Sequence, residues 1–136
     1  MAGYSGKPLV DKLGVKPGAR VALVSAPDGF ESALEPLPPG ATVRRRVNKG
    51  TDMAVMFTLS RAALARKWVQ LTDAVGPAGV VWVAWPKKAS GVATDMTDHA
   101  VRDVVLPTGW VDVKICAIDD TWSGIKCVLR LALRPP

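Results

Sequence analysis

The stretch between residues 52 and 88 constrains the fold of this chain more than any other part. Residues 52–59 are mainly apolar, residues 60–75 repeat apolar side chains at the i, i+4, i+7 spacing of a helix, and residues 80–85 are apolar again. Two strands joined by a crossover helix make a βαβ unit, which requires the strands to be parallel. The sequence therefore predicts an α/β protein with a parallel sheet.

Further strands are predicted on both sides of this unit. Residues 20–26 are nearly continuous in apolar character, which is typical of a strand covered on both faces. Residues 42–47 are short and charged, which favours an edge strand. Residues 110–118 alternate and residues 125–133 follow after a short turn, so we expect an antiparallel hairpin. One face of its first strand is predicted to carry Val111, Val113, Ile115 and Ala117.

Helices are predicted from their capping signals. A short one is expected at residues 8–13, within an N-terminal leader of residues 1–18. Asp28 is placed to cap another short one after the first strand. Ser60 is placed to cap the crossover helix, and Thr94 or Thr97 is placed to cap the helix before the hairpin.

These elements predict a three-layer α/β sandwich around a doubly wound, mostly parallel, six-stranded sheet. Numbered in chain order, the strands are expected to lie in the order 2-1-3-4-6-5, with an antiparallel hairpin at the C-terminal end. The 136 residues suit a single Rossmann-like domain spanning residues 1–136.

Composition and cysteine content indicate an ordinary globular chain. It is 49% hydrophobic and 22% charged, and it shows neither an apolar signal segment nor a membrane span, so we expect a cytoplasmic protein without membrane association. Cys116 and Cys127 do not make a disulfide framework and are expected to be reduced. With His99 as the only histidine, no metal site is predicted.

Five tryptophans are many for a chain of this length. Trp68, Trp82 and Trp110 are predicted to be core residues. Trp85 and Trp122 are placed at strand ends, where an exposed ring is able to stack on a ligand or partner.

A ligand site is predicted at the carboxyl ends of the strands, near the point where strand order reverses. Two cations, two acids and an aromatic ring would suit a small anionic or nucleotide-like ligand there. The alternative is a surface salt-bridge cluster with the aromatic ring covering the core. The candidate residues are Asp28, Lys87, Lys88, Ser90, Asp119, Asp120 and Trp122.

One contact within this set is predicted from the strand order. The last strand should lie beside the fourth, so the turn before it should meet the loop after the fourth strand. We therefore expect Lys87 or Lys88 within ion-pair reach of Asp119 or Asp120, with Trp122 packed over the junction.

The net charge of +6 permits weak binding of nucleic acid or another polyanion. The candidate residues are Arg44, Arg45, Arg46 and Lys49. The alternative is that these charges protect an edge strand from pairing with other chains.

A parallel sheet that ends in an antiparallel hairpin is similar to the scaffold of the class I S-adenosylmethionine methyltransferases. That family carries a glycine-rich loop after its first strand and an acidic residue at the end of its second, which holds the ribose of the cofactor. Here residues 25–30 contain one glycine, and the second strand ends in Arg46, Val47 and Asn48. The resemblance implies a degenerate methyltransferase-like enzyme as an alternative function, but both departures argue against the cofactor, and no cofactor is predicted.

Short motifs spread over nearly the whole chain carry a second resemblance. They are Gly3-Tyr4-Ser5-Gly6, Leu13-Gly14-Val15-Lys16-Pro17-Gly18, Trp85-Pro86-Lys87-Lys88, Ser90-Gly91, Thr94-Asp95, Val111-Asp112-Val113-Lys114 and Asp119-Asp120-Thr121-Trp122-Ser123-Gly124 with Lys126. In these motifs the chain resembles an actinobacterial family of small stand-alone domains of unknown function. The resemblance implies a bacterial domain and supplies no catalytic residues.

The sequence shows no nucleophile–base pair, metal-ligand set or phosphate-binding loop. We therefore predict a binding or interaction domain rather than an enzyme. Its partner would be a protein or a small anionic ligand, with weak nucleic-acid binding as a further alternative, and it would be a monomer or a homodimer.

Overall fold

A computed structural model describes residues 7–136, so the first six residues of the predicted leader lie outside the described part. The strands are β1 (Arg20–Val24), β2 (Thr42–Arg44), β3 (Met53–Phe57), β4 (Val80–Pro86), β5 (Trp110–Ala117) and β6 (Trp122–Leu129). The helices are α1 (Leu9–Leu13), α2 (Arg61–Val75) and α3 (Asp98–Val105), with short 3-10 segments at Phe30–Leu34, Lys88–Ser90, Leu106–Thr108 and Leu131–Leu133. No helix in the described range has both the length and the apolar character needed to cross a bilayer.

The six strands form one sheet in the order β2-β1-β3-β4-β6-β5, which confirms the predicted order. Strands β2, β1, β3 and β4 are parallel, whereas β6 is antiparallel to both β4 and β5. Strand β6 begins at Trp122 rather than at residue 125, because Trp122 already pairs with Pro86. The β5–β6 turn therefore lies at the carboxyl edge of β4.

The longer helices begin at the predicted capping residues. Ser60 Oγ accepts a hydrogen bond from the Ala63 amide at 3.1 Å, and Thr97 Oγ1 accepts one from the Ala100 amide at 3.0 Å. The predicted cap by Asp28 is wrong. Gly29 occupies the N-cap position with a left-handed φ of 76°, so the 3-10 segment starts one position too late for the Asp28 side chain.

The two faces of the sheet carry separate cores. Helices α2 and α3 cover the face that buries Trp68, while α1 and the Phe30–Leu34 segment cover the face that buries Trp82. The core positions predicted for Trp68, Trp82 and Trp110 are confirmed, with 2%, 0% and 5% of each residue exposed. Trp85 is also buried, so its predicted role as an exposed ring is wrong. It lies in the α2/α3 face, beneath the helix layer.

The outer strand β5 departs from the predicted alternation. An irregularity between Asp112 and Lys114 shifts the register, so Ile115 pairs with Ile125 on the α2/α3 face while Val111 points to the other. The predicted single apolar face of β5 is therefore broken. Val113 and Ile115 are exposed, whereas Trp110 at the start of β5 is buried against Trp68 of α2, and Asp112 accepts from Arg102 Nε of α3 at 3.0 Å.

The two cysteines project from opposite faces of the hairpin and are both free. Cys127 lies in the α2/α3 core, whereas Cys116 pairs with Gly124 and packs against the α1 core. Burial raises the pKa of the Cys127 thiol to about 12 and also raises the pKa of Cys116. A disulfide between them is incompatible with the folded hairpin.

Candidate functional site

The carboxyl edge of the sheet gathers four loops. They are residues 25–29 after β1, residues 58–60 after β3, residues 87–97 after β4 and residues 118–121 between β5 and β6. Strand order reverses between β1 and β3, because β2 lies outside β1 and β4 lies outside β3. This edge is where open α/β sheets form a ligand crevice.

The β5–β6 turn meets the loop after β4, as predicted, but through the backbone. The Lys87 amide donates to the Thr121 carbonyl at 2.7 Å. The predicted ion pair is wrong: across residues 7–136, no salt bridge joins Lys87 or Lys88 to Asp119 or Asp120. The Asp119 carboxylate bonds to the backbone of its own turn instead.

Asp119 closes its own turn. One carboxylate oxygen, Oδ1, accepts from the amides of Thr121 and Trp122, both at 2.8 Å. Ser90 is similarly engaged, since its hydroxyl donates to the Lys87 carbonyl at 2.7 Å and accepts from the Val92 amide at 3.2 Å. Side chains in these turns thus satisfy backbone groups nearby before they reach across the edge.

An aromatic row runs beneath the edge. Trp122 packs edge-on against Phe57, with ring centroids 5.0 Å apart, and Phe57 packs against Phe30 at 4.8 Å. The row connects the β5–β6 turn to the segment after β1. Phe30 and Phe57 were not predicted as site residues, although each lies at or just beyond the carboxyl end of a buried strand.

A cavity of about 300 Å³ opens beside this row. Helix α1, the Phe30–Leu34 segment and the β5–β6 turn form its walls. Its lining residues are Lys7, Leu9, Lys12, Phe30, Ala33, Ile118 and Asp119. Of the predicted ligand residues, only Asp119 lines it, while Asp28, Lys88 and Asp120 are exposed on the neighbouring loops.

Lys12 holds α1 against the hairpin. Only 7% of this residue is exposed, and its Nζ donates to the Ala117 carbonyl at 2.7 Å. Lys114 Nζ donates in return to the Lys12 carbonyl at 3.1 Å. The cavity wall is therefore joined to the sheet by two long-range hydrogen bonds that no local sequence pattern signals.

Ser25, the first residue after β1, has a left-handed φ of 57°. This conformation is unfavourable for a residue with a Cβ atom, and such residues cluster at ligand sites. Ser25 is exposed at the crevice between β1 and β3. It was not among the predicted site residues.

Arg45 joins the end of β2 to the β1 loop. Its guanidinium donates to the carbonyls of Ala26 and Pro27 at 2.8 Å, and to both carboxylate oxygens of Glu31 at 2.8 and 2.9 Å. Hydrogen bonding from Arg45 lowers the pKa of Glu31 to about 2. Of the four residues predicted to bind nucleic acid, Arg45 therefore uses its guanidinium for contacts within the protein.

Comparison with known proteins places the fold. No family model and no curated protein matches the sequence. Among solved structures, a SAM-dependent methyltransferase from Aquifex aeolicus has a TM-score of 0.60 at 11% identity, covering 88% of this chain and 86% of that chain. Fibrillarin from Aeropyrum pernix, solved with natively bound S-adenosyl-L-methionine, has a TM-score of 0.60 at 11% identity. The match covers 92% of this chain and 70% of the fibrillarin chain. This likeness shows the Rossmann-like methyltransferase fold and nothing finer.

The residues at the carboxyl edge do not fit the methyltransferase cofactor. The end of β2 provides Arg44, Arg45 and Arg46 where that family has its ribose-binding acid. The carbonyls of Ala26 and Pro27 in the β1 loop already accept from Arg45. The side chain that joins the end of β2 to the β1 loop is therefore a guanidinium and not a carboxylate.

Proposed function

We propose that this chain is a binding domain that takes a small anionic ligand with an apolar part in the cavity at the carboxyl edge. The observation that supports this is the lining of the cavity, in which Lys7 and Lys12 adjoin the apolar side chains of Leu9, Phe30 and Ile118. Its volume of about 300 Å³ lies at the lower end of ligand pockets.

The lining supports a counterpart for each chemical group of such a ligand. The ammonium group of Lys7 favours a carboxylate or phosphate, and Leu9 and Phe30 provide apolar surface for an apolar or heterocyclic part. Asp119 keeps Oδ2 without a hydrogen bond among the described residues, so a ligand donor can pair with it. Lys87, Lys88 and Asp120 would form the outer rim.

The same lining favours binding over chemistry. The described residues around the cavity include no hydroxyl, thiol or imidazole that would serve as a nucleophile or as a partner for one. We further propose that the chain is a bacterial, cytoplasmic member of the actinobacterial family of unknown function. The short motifs that the sequence shares with that family, including Asp119–Gly124, support this proposal.

Ala33→Trp tests the proposal, because Ala33 is exposed and lines the cavity, and an indole there would fill it. We expect AMP or an aromatic carboxylate from a thermal-shift panel to stabilise the wild type, by about 2.7 kcal/mol at 100 times its dissociation constant. Ala33→Trp should abolish this stabilisation. Ala62→Trp, at an exposed position on α2, is the matched control and should retain it. Retention of binding by Ala33→Trp, or no stabilisation by any probe, would contradict the proposal.

The alternative is a degenerate S-adenosylmethionine-dependent enzyme, which the fold favours and Arg45 opposes. We expect no change in melting temperature with millimolar S-adenosylmethionine or S-adenosylhomocysteine. A clear stabilisation by either compound that survives Ala33→Trp would support the alternative and overturn our assignment of the site.

A further inference from the structure

We propose that a second site on this protein binds the phosphodiester backbone of single-stranded nucleic acid. It is formed by Arg20, Arg44, Arg46 and Lys49, which we call the basic cluster. The cluster lies at the β2 side of the sheet, away from the cavity between α1 and the β5–β6 turn.

Strand register and one loop bring the basic cluster together. Arg20 pairs with Thr42 and Ala22 pairs with Arg44, so Arg20 and Arg44 project from the same face of the sheet. The loop from β2 to β3 returns past this face and brings Arg46 and Lys49 to the rim of a shared cavity of about 30 Å³.

Gly50 lets this loop approach Arg20 closely. Its φ is 94°, and a Cβ atom at this position would lie 3.2 Å from Arg20 Nη1. The guanidinium of Arg20 is thus packed beside the loop backbone. The cluster is a product of the tertiary fold, since Arg20 is far in sequence from the other three residues.

The basic cluster has no acidic partner in the described part of the chain. Arg45, Arg61 and Arg102 each form a salt bridge, but none of the four cluster residues does. Asp52, beside Arg20, accepts from the Arg20 backbone amide at 2.8 Å. All four cluster residues are exposed. Like charges gathered in this way repel one another and attract a polyanion.

Protection of an edge strand does not account for the cluster. Strand β2 has three residues, and only Arg44 of the four belongs to it. Arg20 begins β1, which is paired on both sides, by β2 and by β3. Arg46 and Lys49 follow β2, beyond its last hydrogen-bonded residue. Edge protection therefore explains one side chain of the cluster.

A groove of about 680 Å³ continues from the cluster along α2. Lys49 lines both the small cavity and this groove. The groove is otherwise lined by Val47, Val69, Gln70, Asp73 and Ala74. Apolar surface next to cations suits a nucleoside whose phosphates lie on the cluster, and Gln70 and Asp73 offer hydrogen-bonding groups to a base edge.

The dimensions favour a polymer over a free anion. A cavity of about 30 Å³ has room for one or two water-sized groups, so it admits a phosphate oxygen but not a whole ligand. The phosphate must then lie across the surface, held by guanidinium groups that suit phosphate geometry. Unpaired bases reach the groove, whereas bases within a duplex do not.

Fluorescence anisotropy of the full chain with a labelled oligothymidylate or oligouridylate tests the proposal. Four phosphate contacts on a single strand predict a slope of about −2.8 for log affinity against log salt. Arg44→Ala/Arg46→Ala removes half of these contacts and should reduce the slope to about −1.4. Arg130→Ala/Arg134→Ala, at the C-terminal end of the chain, is the matched control and should keep the wild-type slope.

Several results would overturn the assignment. They are absence of binding, a slope near zero, an equal loss in the control variant, and tighter binding of a duplex. Displacement of the labelled oligonucleotide by an equal concentration of inorganic phosphate, or binding to vesicles containing phosphatidylserine but not to the oligonucleotide, would also overturn it. Arg44→Ala/Arg46→Ala should keep the wild-type melting temperature or exceed it, because like charges are removed. A lower melting temperature would show that these arginines hold the fold instead.

Discussion

At the scale of single residues, Arg45 shows how a charged side chain is used inside this protein rather than toward a partner. Its bonds to Glu31 and to two carbonyls of the β1 loop hold that loop against the end of β2. The pair is partly exposed, with 39% and 42% of the two side chains accessible, so solvent weakens it.

The pair gives stability a pH dependence. Glu31 has a folded-state pKa of about 2 against an ordinary value of 4.5. A lowered pKa contributes stability above the ordinary value, and this is lost as the pH falls through the folded-state value. We expect urea unfolding of the wild type to lose stability between about pH 5 and pH 2 more steeply than Glu31→Gln does. Identical pH profiles for the two proteins would contradict the pairing.

Trp122 and Lys88 lie near the same edge of the sheet but differ in burial. Trp122 is half-buried against Phe57, whereas Lys88 is exposed. We expect Trp122→Ala to lower the free energy of unfolding by about 2–4 kcal/mol, and Lys88→Ala to change it by less than about 0.5 kcal/mol. Urea denaturation measures both values. Equal effects would mean that the aromatic row does not support the carboxyl edge.

At the scale of elements, the hairpin shows that pairing does not fix burial. Ile115 and Ile125 face each other across β5 and β6, yet 56% of Ile115 and 1% of Ile125 are exposed. The reason is the helix layer, which packs over β6 and over the start of β5, where Trp110 contacts Trp68 and Asp112 bonds to Arg102. Ile115 lies beyond these contacts.

This difference predicts different costs for the same substitution. Ile125→Ala should lower the free energy of unfolding by about 2–5 kcal/mol, because it leaves a cavity beneath α2 and α3. Ile115→Ala should change the free energy of unfolding by less than about 1 kcal/mol, since most of the Ile115 side chain is in water. A large loss at Ile115, measured by chemical denaturation, would indicate that another surface covers β5 in solution.

At the scale of the whole molecule, the sheet separates two hydrophobic cores. Cys127 lies in one of them, and Cys116 packs against the other. We expect iodoacetamide at pH 8 to alkylate half-buried Cys116 before Cys127, whose thiol has a pKa of about 12. In urea, Cys116 and Cys127 should be alkylated at the same rate. Mass spectrometry of timed samples follows the two sites, and an intramolecular disulfide in the folded protein would contradict the hairpin register.

The sequence by itself determined the sheet order, the hairpin and the caps at Ser60 and Thr97. Each rests on a local pattern: the apolar runs of buried parallel strands, the period of α2, or a hydroxyl at the start of a helix. Right-handed crossovers then leave few ways to arrange the strands.

Only the tertiary structure decided which groups the charged side chains contact. Lys12 reaches Ala117 across most of the chain, Arg45 turns to the β1 loop, and Arg20 joins Lys49 beside Gly50. Asp119, which was expected to pair with a lysine, closes its own turn instead. Helix docking and loop paths set these contacts. No periodicity in the sequence encodes them, because apolar periodicity indicates which residues are buried and not which polar groups meet.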